Sequence, residues 1–128
     1  MPLLLDTSVA VDLLDGVQRT VERVARIDGQ FLSVISWLEL EAGVYRDDGA
    51  AKRRSRLDGF LDQVEILDFT GREVAAYSMI IAESGFSRRL VSDRMIAATA
   101  MTYELTLATL NPRDFRSIPG LVIEDWSA

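Results

Sequence analysis

The chain has 128 residues, a net charge of −6, 48% hydrophobic residues, and neither histidine nor cysteine. This length suits one domain with a sizeable core, and the lack of cysteine excludes disulfides, zinc ribbons and thiol catalysis. The negative charge argues against nucleic-acid binding through a broad positive field. We therefore expect one ordered domain over residues 1–128, in which any nucleic-acid contact is local.

The sequence also bears on location. No apolar run approaches the ~18 residues that a membrane span requires, and residues 1–5 lack the charged segment and long apolar stretch of a secretory signal. The absence of cysteine is compatible with a reducing compartment. We expect a cytosolic protein that does not enter a membrane.

Short apolar runs alternate with segments of helical spacing along the chain. Strands are predicted at 3–5, 31–34, 64–67, 105–110 and 121–123. Helices are predicted at 9–14, 17–25, 50–61, 70–84 and 92–101, and a further helix opens at Ser36. Ser36, Thr70 and Ser92 are the predicted helix caps, and the last helix is apolar enough to be the buried central one. Strands joined by helical crossovers indicate an α/β fold with a mostly parallel sheet of about five strands.

Acidic or amide residues follow the ends of several predicted elements. Asp6 follows the first strand, Glu39 comes shortly after the second, and Asn111 and Asp114 lie just past the fourth. Asp93 opens the central helix. Ligands of open α/β sheets bind beyond the carboxyl ends of the strands, so these residues are expected to converge at one edge.

Each acid also has a purely structural explanation. Asp6 and Asp93 could stabilise helix starts, where the helix dipole favours a negative charge by roughly 0.3 to 1 kcal/mol. Glu39 could complete a capping box with Ser36. Asp114 could belong to a turn.

Carboxylates that converge repel one another, and without a cation at least one would be protonated. Because the chain offers no histidine or cysteine, a divalent cation held by oxygen, Mg²⁺ or Mn²⁺, is the expected partner. A water activated at the metal and oriented by a carboxylate would then attack a phosphodiester, with the Thr7 hydroxyl as an accessory group. Nearby arginines are candidates for flanking phosphates or are simply solvated: Arg88, Arg89, Arg94 and Arg113.

Four ordered segments carry a resemblance to a known family. They are residues 4–8 (LLDTS), 36–43 (SWLELEAG), 92–98 (SDRMIAA) and 109–115 (TLNPRDF), followed by 118–121 (IPGL). In order and spacing the chain resembles the PIN-domain ribonucleases over nearly its whole length, and more narrowly the VapC toxins of bacterial type II toxin–antitoxin systems. The resemblance implies an α/β/α sandwich and an Mg²⁺- or Mn²⁺-dependent endoribonuclease acting on tRNA, rRNA or mRNA.

The resemblance also implies partners. It implies a homodimer and a cognate VapB-like antitoxin, whose tail wraps the toxin and blocks the site in a toxin–antitoxin hetero-oligomer. Apolar residues of the first helices are candidates for antitoxin contact or for core packing: Val11, Leu14, Val17 and Val21.

The family's functional residues map onto acids of this chain. Asp6, Glu39 and Asp93 match its three core acids, and Asp6 and Asp93 are the implied metal ligands. Some relatives have a fourth acid where this chain has Asn111, whereas many toxins of this type carry a later acid that Asp114 matches. The resemblance therefore implies Asp114 as the fourth catalytic acid, with Asn111 as a neutral accessory.

Other α/β proteins with acidic sites fit less well. A receiver-type phosphoacceptor domain needs an acidic pair after the first strand and a late lysine, but the chain has no lysine after Lys52. A haloacid-dehalogenase-like phosphatase needs a second aspartate two residues after the first, where Ser8 stands. The alternative of a different class is a non-catalytic interaction module whose acids are helix caps.

Overall fold

A five-stranded parallel sheet forms the centre of the molecule. The computed structural model describes residues 2–46 and 48–127. Its strands are β1 (Leu3–Leu5), β2 (Gln30–Ser33), β3 (Glu65–Leu67), β4 (Thr106–Thr109) and β5 (Ile123–Asp125). The strand order is β3-β2-β1-β4-β5, and each neighbouring pair is parallel. The predicted α/β class is confirmed.

Helices cover both faces of this sheet. They are α1 (Thr7–Leu14), α2 (Gln18–Ala25), α3 (Val34–Val44), α4 (Ala50–Leu61), α5 (Gly71–Ser84) and α6 (Val91–Thr102), with a 3₁₀ helix at Pro112–Asp114. Successive side chains of a strand point to opposite faces. Leu3 and Leu5 accordingly pack in the core formed with α1, α2 and α4, while Leu4 packs with α5 and α6. The result is the predicted α/β/α sandwich.

The position of α6 brings its first turn to the carboxyl edge of the sheet. Arg72, near the start of α5, donates to the carbonyl of Thr102 at the end of α6, and Arg94 in α6 donates to the carbonyl of Gly85 just after α5. The two helices are therefore antiparallel. Since β4 begins shortly after α6 ends, α6 runs back against the strands and starts where they finish. As predicted, α6 is largely buried.

Several predicted boundaries need correction. Ser33, not Ser36, caps α3: its hydroxyl accepts from the Ile35 N–H at 3.0 Å, while Ser36 is buried inside the helix. The predicted capping box of Ser36 and Glu39 is therefore wrong, and Glu39 is not used as a cap. The box that Thr70 forms with its third helical residue is confirmed.

Two other elements begin elsewhere than predicted. Helix α6 starts one residue before Ser92, so this serine lies inside the helix and does not cap it. Strand β5 lies two residues later than predicted, because Ile123–Asp125 pairs with residues 107–109 of β4. Glu124 and Asp125 are exposed, which an edge strand tolerates. The apolar pattern of residues 121–123 therefore did not indicate that these two residues belong to β5. No helix in the described ranges has the length and apolar character to cross a membrane.

Candidate active site

Asp6 leaves the end of β1 and is 3% exposed. It occupies the N-cap position of α1, yet its side chain makes no capping hydrogen bond. Instead, Oδ2 accepts hydrogen bonds from Ser8 Oγ at 2.7 Å and from Thr109 Oγ1 at 2.8 Å. The carboxylate thus bonds the hydroxyls of Ser8 in α1 and Thr109 in β4 but makes no capping hydrogen bond, so capping alone does not account for Asp6.

Burial raises the pKa of the Asp6 carboxyl, because a charge that loses water is destabilised. The hydroxyls of Ser8 and Thr109 act in the opposite direction, since they donate to the ionised form. A cation beside Asp6 would favour the same ionised form.

Asp93 lies in the first turn of α6 and is partly buried. Burial, followed by the negative charges of Asp6, Asp114 and Glu39, raises the pKa of Asp93 to about 6, against the opposing charge of Arg89. Four acids from separate elements therefore lie within electrostatic reach of one another. This convergence at the carboxyl edge is what the chain order of the acids predicted.

Glu39 lies in the second turn of α3 with an exposed side chain. Its Oε1 accepts a hydrogen bond from Thr7 Oγ1 at 2.7 Å. Thr7 Oγ1 is also 2.8 Å from the Oγ of the buried Ser36. The start of α1 and the second turn of α3 are therefore linked through Thr7, which holds one oxygen of Glu39.

The 3₁₀ helix after β4 contributes Asp114. This side chain is partly buried, and its Oδ1 accepts from Arg89 Nη1 at 3.3 Å. Asn111 occupies the N-cap position of the same turn, is exposed, and makes no side-chain capping bond. Because Asp114 acts on the charge state of Asp93, it supplies the fourth negative charge at this edge.

The donor chemistry of these side chains suits a hard cation. Mg²⁺ and Mn²⁺ prefer oxygen ligands, and Mg²⁺ is commonly held by one or two carboxylates with water completing its shell. Within the described part of the chain, no three acids form a ready-made ligand group. Two acids and water would suffice, and Asp6 with Asp93 fits this need, since their repulsion is what a cation would relieve.

Comparison with known proteins places the chain in a family. A family model described as PIN domain matches residues 3–121. This chain belongs to the PIN domain family. It is 35% identical to Ribonuclease VapC1 of Rickettsia felis, covering 96% of this chain and 95% of that protein. It is 28% identical to tRNA(fMet)-specific endonuclease VapC of Shigella flexneri, covering 99% of both chains.

A solved structure shows the same fold. The crystal structure of DNA-bound VapBC from Salmonella typhimurium matches with a TM-score of 0.87 and 26% identity, covering 98% of each chain. The predicted resemblance to VapC-like PIN domains is confirmed.

The predicted arginines of this PIN domain divide into two groups. Arg88, Arg89 and Arg113 are exposed on segments next to the acids. Arg94 is 5% exposed, and its Nη1 donates to the carbonyl of Gly85. This burial argues against the predicted contact of Arg94 with a substrate phosphate, because its guanidinium is used in packing α6 against the end of α5.

Three hydroxyl residues of the site were not among the predicted site residues. Ser8 and Thr109 bond Asp6, and Ser36 neighbours Thr7. Their signal in the sequence is their position: Ser8 lies two residues from an acid, and Thr109 is the last residue of a strand whose end faces the site. Hydroxyls are too common at such positions for the sequence alone to select these three.

An apolar groove begins beside Glu39 in this PIN domain. It encloses about 150 Å³ between α1, α3 and α4, and three arginines line it together with apolar side chains: Arg46, Arg53, Arg56, Val11, Leu14, Leu40, Val44 and Leu57. A second depression continues past Leu14 and Arg56 toward Val21 and Phe60. The groove and the depression together form a continuous, partly apolar track along α1. This track ends beside Glu39, a candidate catalytic residue.

Proposed function

We propose that this PIN domain is a metal-dependent endoribonuclease and the toxin of a type II toxin–antitoxin pair. The convergence of Asp6, Glu39, Asp93 and Asp114 at one sheet edge carries this proposal. Support comes from the relatives, which are named ribonucleases or endonucleases. The competing function, an interaction module whose acids are caps, is disfavoured because Asp6 and Glu39 do not cap their helices.

Asp6 and Asp93 would hold the cation in this proposal. Bound Mg²⁺ or Mn²⁺ would supply positive charge that screens the scissile phosphate and makes a water more acidic. Asp6 contributes a buried carboxylate on a strand end, and Asp93 contributes one on the rigid first turn of α6. Two ligands on regular elements keep the geometry of the site fixed.

Glu39 is suited to accept a proton from the attacking water. Its Oε1 is held by the Thr7 hydroxyl, while Oε2 has no hydrogen-bond partner among residues 2–46 and 48–127. Oε2 can therefore take the proton, and Thr7 keeps the carboxylate oriented while it does so. A positioned base of this kind contributes about 10²- to 10⁴-fold to a rate.

RNA would be held by local contacts rather than by a general positive field. The chain carries a net charge of −6, so attraction to a polyanion must come from nearby cations such as Arg88, Arg89 and Arg113. Initiator tRNA is the first substrate to test, because one relative is named a tRNA(fMet)-specific endonuclease. Ribosomal and messenger RNA are the other candidates.

The groove beside Glu39 is the proposed seat of the antitoxin. Val11 lines it and is 40% exposed, so an apolar segment would cover a side chain that now meets water. A chain laid along this track would reach Glu39 and obstruct the site. Complexes of VapC with VapB are among the structural neighbours. The homodimer and the cytosolic location remain predictions.

Substitution of single acids tests the enzyme. Asp6→Asn, Glu39→Gln and Asp93→Asn should each reduce Mg²⁺- or Mn²⁺-dependent cleavage of a defined tRNA by about 10²-fold or more while remaining folded. Asp62→Asn, which changes an exposed acid at the end of α4, serves as the matched control. Cleavage by Asp93→Asn at the wild-type rate would overturn the proposed mechanism.

A second pair of variants tests the partner surface. Val11→Asp should prevent binding of the antitoxin encoded by the neighbouring gene while leaving RNA cleavage intact. Val74→Asp makes the same change at a valine that is 53% exposed on α5, on the other face of the sheet. It should leave antitoxin binding and RNA cleavage intact. If the same antitoxin concentration inhibited Val11→Asp and the wild type, the antitoxin would bind a surface other than this groove.

A further inference from the structure

Both side-chain hydrogen bonds to Asp6 end on the same oxygen. Ser8 Oγ and Thr109 Oγ1 lie 2.7 and 2.8 Å from Oδ2, and Oδ1 receives no side-chain hydrogen bond in the described ranges. The side-chain hydrogen bonds therefore hold the carboxylate asymmetrically, through Oδ2, while the backbone N–H groups of Thr7 and Ser8 also favour its ionised form.

Each of these hydroxyls is itself held by the backbone that follows β4. Ser8 Oγ accepts from the Leu110 N–H at 3.1 Å, and Thr109 Oγ1 accepts from the Asn111 N–H at 2.9 Å. A hydroxyl has one proton to donate. Because an N–H group already occupies an acceptor position on each oxygen, that proton is free to point at Asp6 Oδ2.

The four hydrogen bonds connect parts of the chain that are distant in sequence. Asp6 and Thr109 are 103 residues apart, and Ser8 and Leu110 are 102 apart. The loop that carries Asn111 and Asp114 is thereby tied to Asp6 at its first two residues. The position of one acid is fixed relative to the segment that supplies another.

We propose that Ser8 and Thr109 are positioning residues that fix Asp6 Oδ2 and thereby present Oδ1 to the divalent cation. This assignment rests on the proposed function, because it assumes that Asp6 is a metal ligand. Groups that orient a ligand in this way typically change metal affinity 10- to 100-fold when they are lost.

Thr109 allows the hydroxyl to be separated from packing. Its side chain is fully buried, so Thr109→Val keeps the shape but removes the hydroxyl, whereas Thr109→Ser keeps the hydroxyl but removes a methyl group. Thr99 provides a matched control. It is equally buried, but its hydroxyl donates to the carbonyl of Met95 in its own helix.

The test is calorimetric titration of Mn²⁺ into the intact wild-type protein and each variant. Thr109→Val and Ser8→Ala should weaken Mn²⁺ binding about 10- to 100-fold, while Thr109→Ser and Thr99→Val should bind like wild type. Wild-type affinity in Thr109→Val would overturn the assignment while leaving the proposed function in place. Failure of the wild type itself to bind Mn²⁺ would instead overturn both.

Amide hydrogen exchange gives a readout without metal. Thr109→Val removes the acceptor of the Asn111 N–H, so exchange at Asn111 should accelerate, whereas Thr109→Ser should retain protection. Unchanged protection at Asn111 in Thr109→Val would contradict the link between the loop and Asp6. Both valine variants must remain folded by circular dichroism for the comparison, and Ser8→Ala supplies the result if Thr109→Val does not fold.

Discussion

Arg89 Nη1 lies 3.3 Å from Asp114 Oδ1, so a cation from the segment before α6 meets an acid from the turn after β4. The Arg89 side chain is 72% exposed, and exposed ion pairs contribute about 1 kcal/mol or less to folding. The ion pair therefore adds little to stability, and its effect is to fix the position of the Arg89 side chain. Asp114 holds the guanidinium at the rim of the acidic site, and under the proposed function its remaining N–H groups would bind an RNA phosphate.

Arg89→Ala should raise KM for RNA roughly tenfold, the value of one charge-assisted hydrogen bond. The free energy of unfolding should change by less than about 1 kcal/mol. Arg72→Ala, at the far end of α5, is the control and should leave KM unaltered. Equal KM values for Arg89→Ala and wild type in steady-state cleavage assays would show that this arginine does not touch the substrate.

Asp93→Asn should stabilise the metal-free protein at neutral pH. The folded protein raises the pKa of Asp93 from 3.8 to about 6, so between these values it retains a proton that the unfolded chain releases. Stability therefore falls as pH rises through this window. After allowance for partial exposure, the asparagine variant should gain about 1 kcal/mol at pH 7 and nothing at pH 3.5.

Urea denaturation at the two pH values measures this gain. Saturating Mn²⁺ should reverse the order, because the wild type gains binding energy that Asp93→Asn loses. A variant that is stabilised equally at both pH values would show that the repulsion between acids is not the cause.

Arg94 and Arg113 should give opposite phenotypes. Arg94→Met loses the bond to the Gly85 carbonyl, but also removes Nε, which is buried without a hydrogen-bond partner in the described ranges. We expect a net destabilisation of about 1 kcal/mol and no change in KM. Arg113→Ala should leave stability unchanged and raise KM. Thermal unfolding and cleavage kinetics on both variants check this, and a raised KM in Arg94→Met would restore Arg94 as a substrate contact.

The pair of Glu41 and Arg54 should stabilise the protein except in strong acid. Arg54 contacts both oxygens of Glu41, at 2.7 and 2.9 Å, and with Trp37 lowers the pKa of Glu41 to about 2. A depressed carboxyl pKa stabilises the fold above the unfolded value of 4.5, and this contribution disappears as pH falls toward 2.

Glu41→Gln should accordingly be less stable than wild type at pH 7, with a difference that narrows below pH 4.5. Chemical denaturation at pH 7 and pH 3 makes the comparison. Glu83→Gln, an exposed change on α5, is the control. A constant difference at both pH values would mean that packing around Glu41, not its charge, is responsible.

Periodicity was sufficient to predict the elements that are buried on both sides. The three leucines of β1 and the small apolar residues of α6 leave few alternatives to a central strand and a central helix. Strand β5 was misplaced because an edge strand is only partly buried, so its sequence need not be apolar. The chain order of the acids predicted their convergence, since parallel strands end at a common edge.

The orientation of individual side chains could not be predicted in the same way. Arg94 directly follows Asp93, yet one side chain meets the site and the other packs under α5, because successive residues of a helix point about 100° apart. The hydroxyl of Thr109 depends on register between β1 and β4, which no local pattern encodes. Contacts of this kind become visible only when the whole fold is assembled.

The distance in sequence between Asp6 and Thr109 affects when the site can form during synthesis. A growing chain that already bears Asp6, Glu39 and Asp93 still lacks β4, which pairs with β1 and carries the Thr109 hydroxyl that bonds Asp6. Contacts between residues so distant in sequence carry a large loop-closure cost, which slows folding. The acidic edge is therefore complete only once β4 has been synthesised and has paired with β1.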